Sequence, residues 1–219
     1  MRRLALLFLL SLLSLSYSAA CAHLPVLRPV DAESGKDAGA RCQRAFPAQP
    51  WHATHTIFAS LPFGQNSGLI GATAAEDGAL HAVLVSPEGV TLFDGTQRAG
   101  APLKIDRAVP PFDRPNFAGS LMADVGNAYL SPAGPPTALG TYQSGATVCR
   151  WSPAGGGGEI TDVELAADGP RAIRTFWGTR LSREILLLGP SDKGFYPLVV
   201  LRVPGTGGYR LEMRLIEHE

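Results

Sequence analysis

The chain has 219 residues, no formal net charge, 17% charged residues, 25 glycines and 18 prolines. That length fits one ordinary domain with a substantial core, and the balanced charge excludes the basic field of a nucleic-acid binder. Few charges and many turn formers disfavour long salt-bridged helices and favour short strands joined by tight turns.

Residues 1–20 read as an export signal. Arg2 and Arg3 form a positive n-region, Leu4 to Leu15 is an apolar run broken only by Ser11 and Ser14, and Ser18-Ala19-Ala20 places small residues before Cys21. The run is shorter than the roughly 20 apolar residues of a permanent span. A cysteine directly after small residues resembles a bacterial lipobox, with Ser18 standing where leucine is usual. The expectation is cleavage before Cys21 and lipidation of that residue, holding the protein by its acyl chains on the envelope membrane, facing the periplasm. Ordinary cleavage near Ala20 is the alternative. Ala22 in place of Asp after the cysteine fits sorting to the outer membrane. Removal of Arg2 and Arg3 leaves 17 basic residues against 19 acidic ones, about two units negative.

With Cys21 lipidated, Cys42 and Cys149 remain as an even pair in an oxidising compartment, and two cysteines allow one intramolecular connectivity. A Cys42–Cys149 disulfide is therefore the candidate, with free thiols as the alternative. Residues 21–50, punctuated by Pro25, Pro29, Pro47 and Pro50, read as a lipidated cysteine plus tether. Residues 51–219 read as a single β-rich domain.

Within that domain Thr54 to Ser60 alternates, with His55, Ile57 and Ala59 on one face and Thr56, Phe58 and Ser60 on the other. Strands follow over Leu69 to Ala74, Leu80 to Ser86 and Val90 to Phe93, the last ending at an Asp94-Gly95 turn, and then over Leu103 to Asp106. This is an antiparallel meander. Asp113-Arg-Pro115 reads as a helix start with Asp113 accepting from an early amide. Phe117, Leu121, Val125 and Tyr129, widened by Met122, put an apolar stripe on a helix over Asn116 to Leu130.

Strands return over Ala146 to Trp151, Ile160 to Leu165, Ala172 to Trp177, Glu184 to Leu188, Tyr196 to Val203 and Tyr209 to Ile216. In the last, Tyr209, Leu211, Met213 and Leu215 point one way and Arg210, Glu212 and Arg214 the other, as in a sheet with one buried and one wet face. Ile185 to Leu188 and Leu198 to Leu201 are apolar on both faces, as in central strands covered on both sides or lining a cavity. The fold class is mainly β with one or two helices (α+β).

Leu61-Pro-Phe-Gly-Gln65 after the first strand, and the run from Leu80 through Pro87-Glu-Gly89 to Asp94-Gly95, resemble the LolA/LolB superfamily of periplasmic lipoprotein carriers and outer-membrane lipoprotein receptors. The helix over Asn116 to Leu130 falls where that family carries one. The resemblance implies a curved antiparallel half-barrel of about ten strands, a helix packed on its concave side, and an apolar concave face that holds acyl chains.

Chemistry-bearing constellations are sparse. His52 and His55, three apart in a strand, point to opposite faces and make a poor metal pair. His81 reads as a surface histidine. Asp77, Asp94, Asp168 and Asp192 precede or sit beside glycines, where carboxylates stabilise turns. No Gly-x-Ser-x-Gly elbow occurs, and Gly155 to Gly158 lacks the Lys-Ser/Thr of a phosphate loop. No catalytic residue, metal or cofactor is expected. The remaining candidate is an apolar groove lined by Phe58, Leu69, Phe93, Phe117, Leu121, Trp151, Phe176 and Trp177, although the same residues would equally fill a packed core. The leading expectation is a monomeric, non-enzymatic lipoprotein that binds a lipid or acylated protein in lipid or lipoprotein trafficking. The alternative is a packed β-sandwich or barrel that docks another envelope protein.

Overall fold

The computed structural model describes residues 24–30, 32–61, 64–154, 157–166 and 169–219. The leader with Cys21, Asp168, and parts of the 61–65 turn and the 155–158 glycine run lie outside them.

Among the described residues, thirteen antiparallel strands form one curved, open sheet, three more than the ten or so expected. An N-terminal meander runs through β2 (Trp51–Ser60), β3 (Asn66–Glu76), β4 (Ala79–Val85), β5 (Thr91–Arg98) and β6 (Lys104–Ala108). A C-terminal meander runs through β7 (Ala138–Thr141), β8 (Thr147–Trp151), β9 (Glu159–Ala166), β10 (Gly169–Trp177), β11 (Arg180–Leu188), β12 (Leu198–Val203) and β13 (Tyr209–His218). The two join where β13 pairs with β2, Leu211 opposite Ala59 and Met213 opposite Ile57. The seam continues to the C-terminus, where the backbones of His52 and Glu219 exchange both hydrogen bonds.

β6 and β7 thus lie toward opposite edges of the sheet. The chain between them crosses the concave face, carrying helix α2 (Pro115–Tyr129). A second helix, α1 (Ala32–Gln43), lies on the same face over β7 to β10. Between Pro25 and α1, the two-residue β1 (Arg28–Pro29) pairs along the free edge of β7. Gly140 is required there, because a Cβ would sit 2.6 Å from the Arg28 carbonyl oxygen.

Part of the stretch read as a tether packs on the domain. Ala38, Cys42, Ala45 and Phe46 are buried, and Cys42 is bonded to Cys149 across 107 residues. The helical stripe here consists mainly of small side chains, a weak hydrophobic signal, and it is held by the staple and by Arg41 donating to the Ala166 carbonyl at 2.9 Å. Short β7 has too little alternation to be seen in sequence. The expected Asp94-Gly95 turn is instead the middle of β5. Asp94 reaches His81 on the neighbouring strand (2.7 Å), and Gly95 leaves space for the ring of Phe93, whose Cζ would lie 2.6 Å from a Cβ. Asp113 does not cap α2. The cap position is Arg114, without a side-chain hydrogen bond, and Pro115 takes the first turn as expected.

The inner face runs strand to strand through Cys149, Val163, Ile173, Ile185, Leu201 and Leu211. The outer face carries an ion-pair ladder. Arg150 donates to both carboxylate oxygens of Asp162 (2.6 Å each), and Arg174 bridges Glu164 and Glu184. β11 and β12 are central, yet Val200 is buried on the outer face between its cross-strand neighbours Leu186 and Glu212, while Leu188 is exposed.

Candidate functional site

α2 lies on the sheet with its stripe divided. Ala118, Met122, Ala128 and Tyr129 are buried, whereas Phe117, Leu121 and Val125 are half-buried. Ala118 and Met122 are i, i+4 neighbours that seat the helix. Phe117 and Leu121 stand one position earlier in each turn and so overhang the sheet.

Beneath this overhang is an open groove of about 950 Å³, at the upper end of the roughly 300–1,000 Å³ of small-molecule sites. The sheet supplies Ile57 and Ala59 from β2, Leu69 from β3, Leu84 from β4, and Tyr209 and Leu211 from β13. Pro110, Pro111, Phe112, Phe117 and Leu121 supply the helix side. Phe112 is propped by rings on both sides, edge-on to Phe117 (centroids 5.2 Å apart) and 6.3 Å from Phe93. Gln65, Arg114, Asn116 and Ser120 are exposed polar members of the lining. A void of about 30 Å³, sharing Ile57, Leu84 and Leu121 with the groove, is also bounded by His55 and Tyr129.

Two polar clusters hold α2 to the sheet. Asp124, buried, accepts from Arg183 of β11 and from the Tyr209 hydroxyl of β13, and Arg183 also reaches Glu159 (3.4 Å). Burial pushes the Asp124 carboxyl above the usual carboxylate range, against the opposing pull of those hydrogen bonds. At the C-terminal end of α2, the Tyr129 hydroxyl is 2.9 Å from His55 Nε2. Burial lowers the His55 pKa to about 4 and raises that of Tyr129, so a neutral imidazole and a protonated hydroxyl share this hydrogen bond.

Of the residues expected to line a groove, the fold brings together Leu69, Phe117 and Leu121. Phe93 is fully buried behind Phe112. Trp151 is buried, with its indole N–H donating to the Gly134 carbonyl (3.0 Å), and Phe176 is buried away from the groove. Trp177 is 68% exposed. Phe58 lies on the wrong face for a groove residue. It pairs opposite Glu212 on the outer side and is half exposed, because the register that turns Ala59 and Leu211 inward turns Phe58 outward. The alternation in β2 already separated Ile57 and Ala59 from Phe58, and that signal identifies the inner pair. Pro110 to Phe112 and Arg114 belong to no periodic segment, so nothing in the sequence marked them. Among the described residues no group of three His, Cys, Asp or Glu side chains is arranged to hold a metal, and no helix is long and apolar enough to cross a membrane.

A LolA superfamily protein from Nitrosomonas europaea superposes with a TM-score of 0.51 over 87% of this chain and 94% of its own, at 8% identity. The fold is LolA-like. Two further solved structures align over similar lengths. One is a domain described as an outer membrane lipoprotein-sorting protein from Vibrio parahaemolyticus (TM-score 0.48, 10% identity, 86% of this chain and 93% of that one). The other is a DUF1329 family protein from Desulfovibrio piger (TM-score 0.47, 10% identity, 88% and 93%). No protein-family model and no curated protein matches the sequence. The LolA-like sheet, open along one side and crossed by a helix, is the frame in which the apolar groove sits.

Proposed function

We propose that this protein is a non-enzymatic acyl-chain carrier or receptor of the bacterial envelope, tethered by lipid on Cys21 and facing the periplasm, and that it takes up a lipid or the lipid moiety of an acylated protein. The observation that carries this reading is the groove of about 950 Å³ under Phe117 and Leu121, with its largely aliphatic and aromatic walls. Each methylene moved from water into such a site contributes roughly 0.8 kcal/mol, so an ordinary acyl chain supplies on the order of 10 kcal/mol before the costs of association. The LolA-like fold and the lipobox-like Ser18-Ala-Ala-Cys21 support the same reading from the scaffold and from the leader.

The test is mass spectrometry of organic extracts from protein exported to the periplasm and purified without detergent. A stoichiometric acyl-bearing species is expected. A folded, stable, lipid-free protein that also fails to take up added lipid overturns the carrier reading in favour of an envelope docking module.

A further inference from the structure

The groove has one basic and one acidic lining residue among the described residues, Arg114 and Asp124. Their situations differ. Asp124 is buried and paired with Arg183 and Tyr209, so its charge is already balanced within the protein. Arg114 is exposed beside the opening, and no described carboxylate lies within ion-pair distance of it. Its sequence neighbour Asp113 is also exposed, does not line the groove and makes no ion pair with it, and the first turn of α2 contains no acid. An apolar trough therefore opens beside one uncompensated guanidinium, a planar fork suited to bidentate recognition of phosphate. The size adds a second constraint. Taking one methylene as roughly the 30 Å³ of a liquid water, the open groove of about 950 Å³ has room for up to about thirty such groups, enough for two acyl chains of medium length.

Resting on the carrier reading above, we infer that the ligand is a two-chain amphiphile with a net-negative phosphate headgroup, an anionic glycerophospholipid, whose chains lie under Phe117 and whose phosphate is held by Arg114. The test displaces an environment-sensitive acyl probe from the purified protein with dioctanoyl phosphatidylglycerol and with dioctanoyl glycerol, which has the same chains and no phosphate. The phospholipid is expected to displace at about tenfold lower concentration, and the gap should narrow in high salt. Arg114→Gln should weaken the phospholipid about tenfold and leave dioctanoyl glycerol unchanged, with Arg114→Lys intermediate. Equal displacement by the two lipids, or an equal effect of Arg114→Gln on both, overturns the headgroup assignment while leaving the groove as an acyl site. Displacement by neither overturns the carrier reading as well.

Discussion

At the β7 to β10 end of the concave face, Ala38, Cys42, Phe46 and Trp151 are buried and a disulfide fastens α1 to the sheet. At the β2 to β5 end, strands with the same alternation meet α2 through Ala118 and Met122, and Leu69, Phe117 and Leu121 remain half-buried around open space. The inner face of the sheet is mainly apolar at both ends. What differs is the cover. α1 brings small residues close enough for a covalent bond, whereas α2 is held off by Phe112 and Phe117 on the open side and anchored by Asp124 and Tyr129 farther along. Filled core and open groove are thus alternative outcomes for one strand pattern, decided by the element that crosses it.

The largest effect should come from releasing the closed end. Replacing both Cys42 and Cys149 by Ala removes a cross-link spanning 107 residues, worth about 4–5 kcal/mol in the chain-entropy treatment. Urea unfolding should show this loss, and a change under 1 kcal/mol would mean that packing alone seats α1. Next comes the anchor between the ends. Because the His55 pKa is lowered to about 4 from an unfolded value near 6.5, the unfolded chain binds the extra proton first. The stabilisation is complete above pH 6.5 and is lost as pH falls toward 4, on the order of 3 kcal/mol in total. His55→Gln should flatten that part of the stability-against-pH profile, and an unchanged slope would assign it to other groups. The smallest effect on stability belongs to the open end. Leu69→Ala and Phe117→Ala should each cost less than about 1.5 kcal/mol, below the 2–5 kcal/mol of fully buried truncations, while weakening an acyl probe about tenfold. A large stability loss without loss of probe binding would make these residues core and erase the distinction between the two ends.

The alternation of Tyr209 to Leu215, the turn chemistry between strands and the apolar stripe of α2 made the β-rich class, most strands and the crossing helix legible in one dimension, since period 2 and period 3.6 are local properties. Cysteine arithmetic singled out the Cys42–Cys149 pair for the same reason, through chemistry that needs only composition. Helix α1 escaped because Ala38 and Cys42 carry little hydrophobic signal, and the groove membership of Phe58 was misread because ring size does not report which face a register turns inward. Whether the concave face would be packed or open was decided only by where α1 and α2 settle on it. Ile57, Leu84, Phe112 and Leu211 come from segments distant in the chain, and the space between them depends on how the covering helices pack, a long-range outcome that no local pattern encodes.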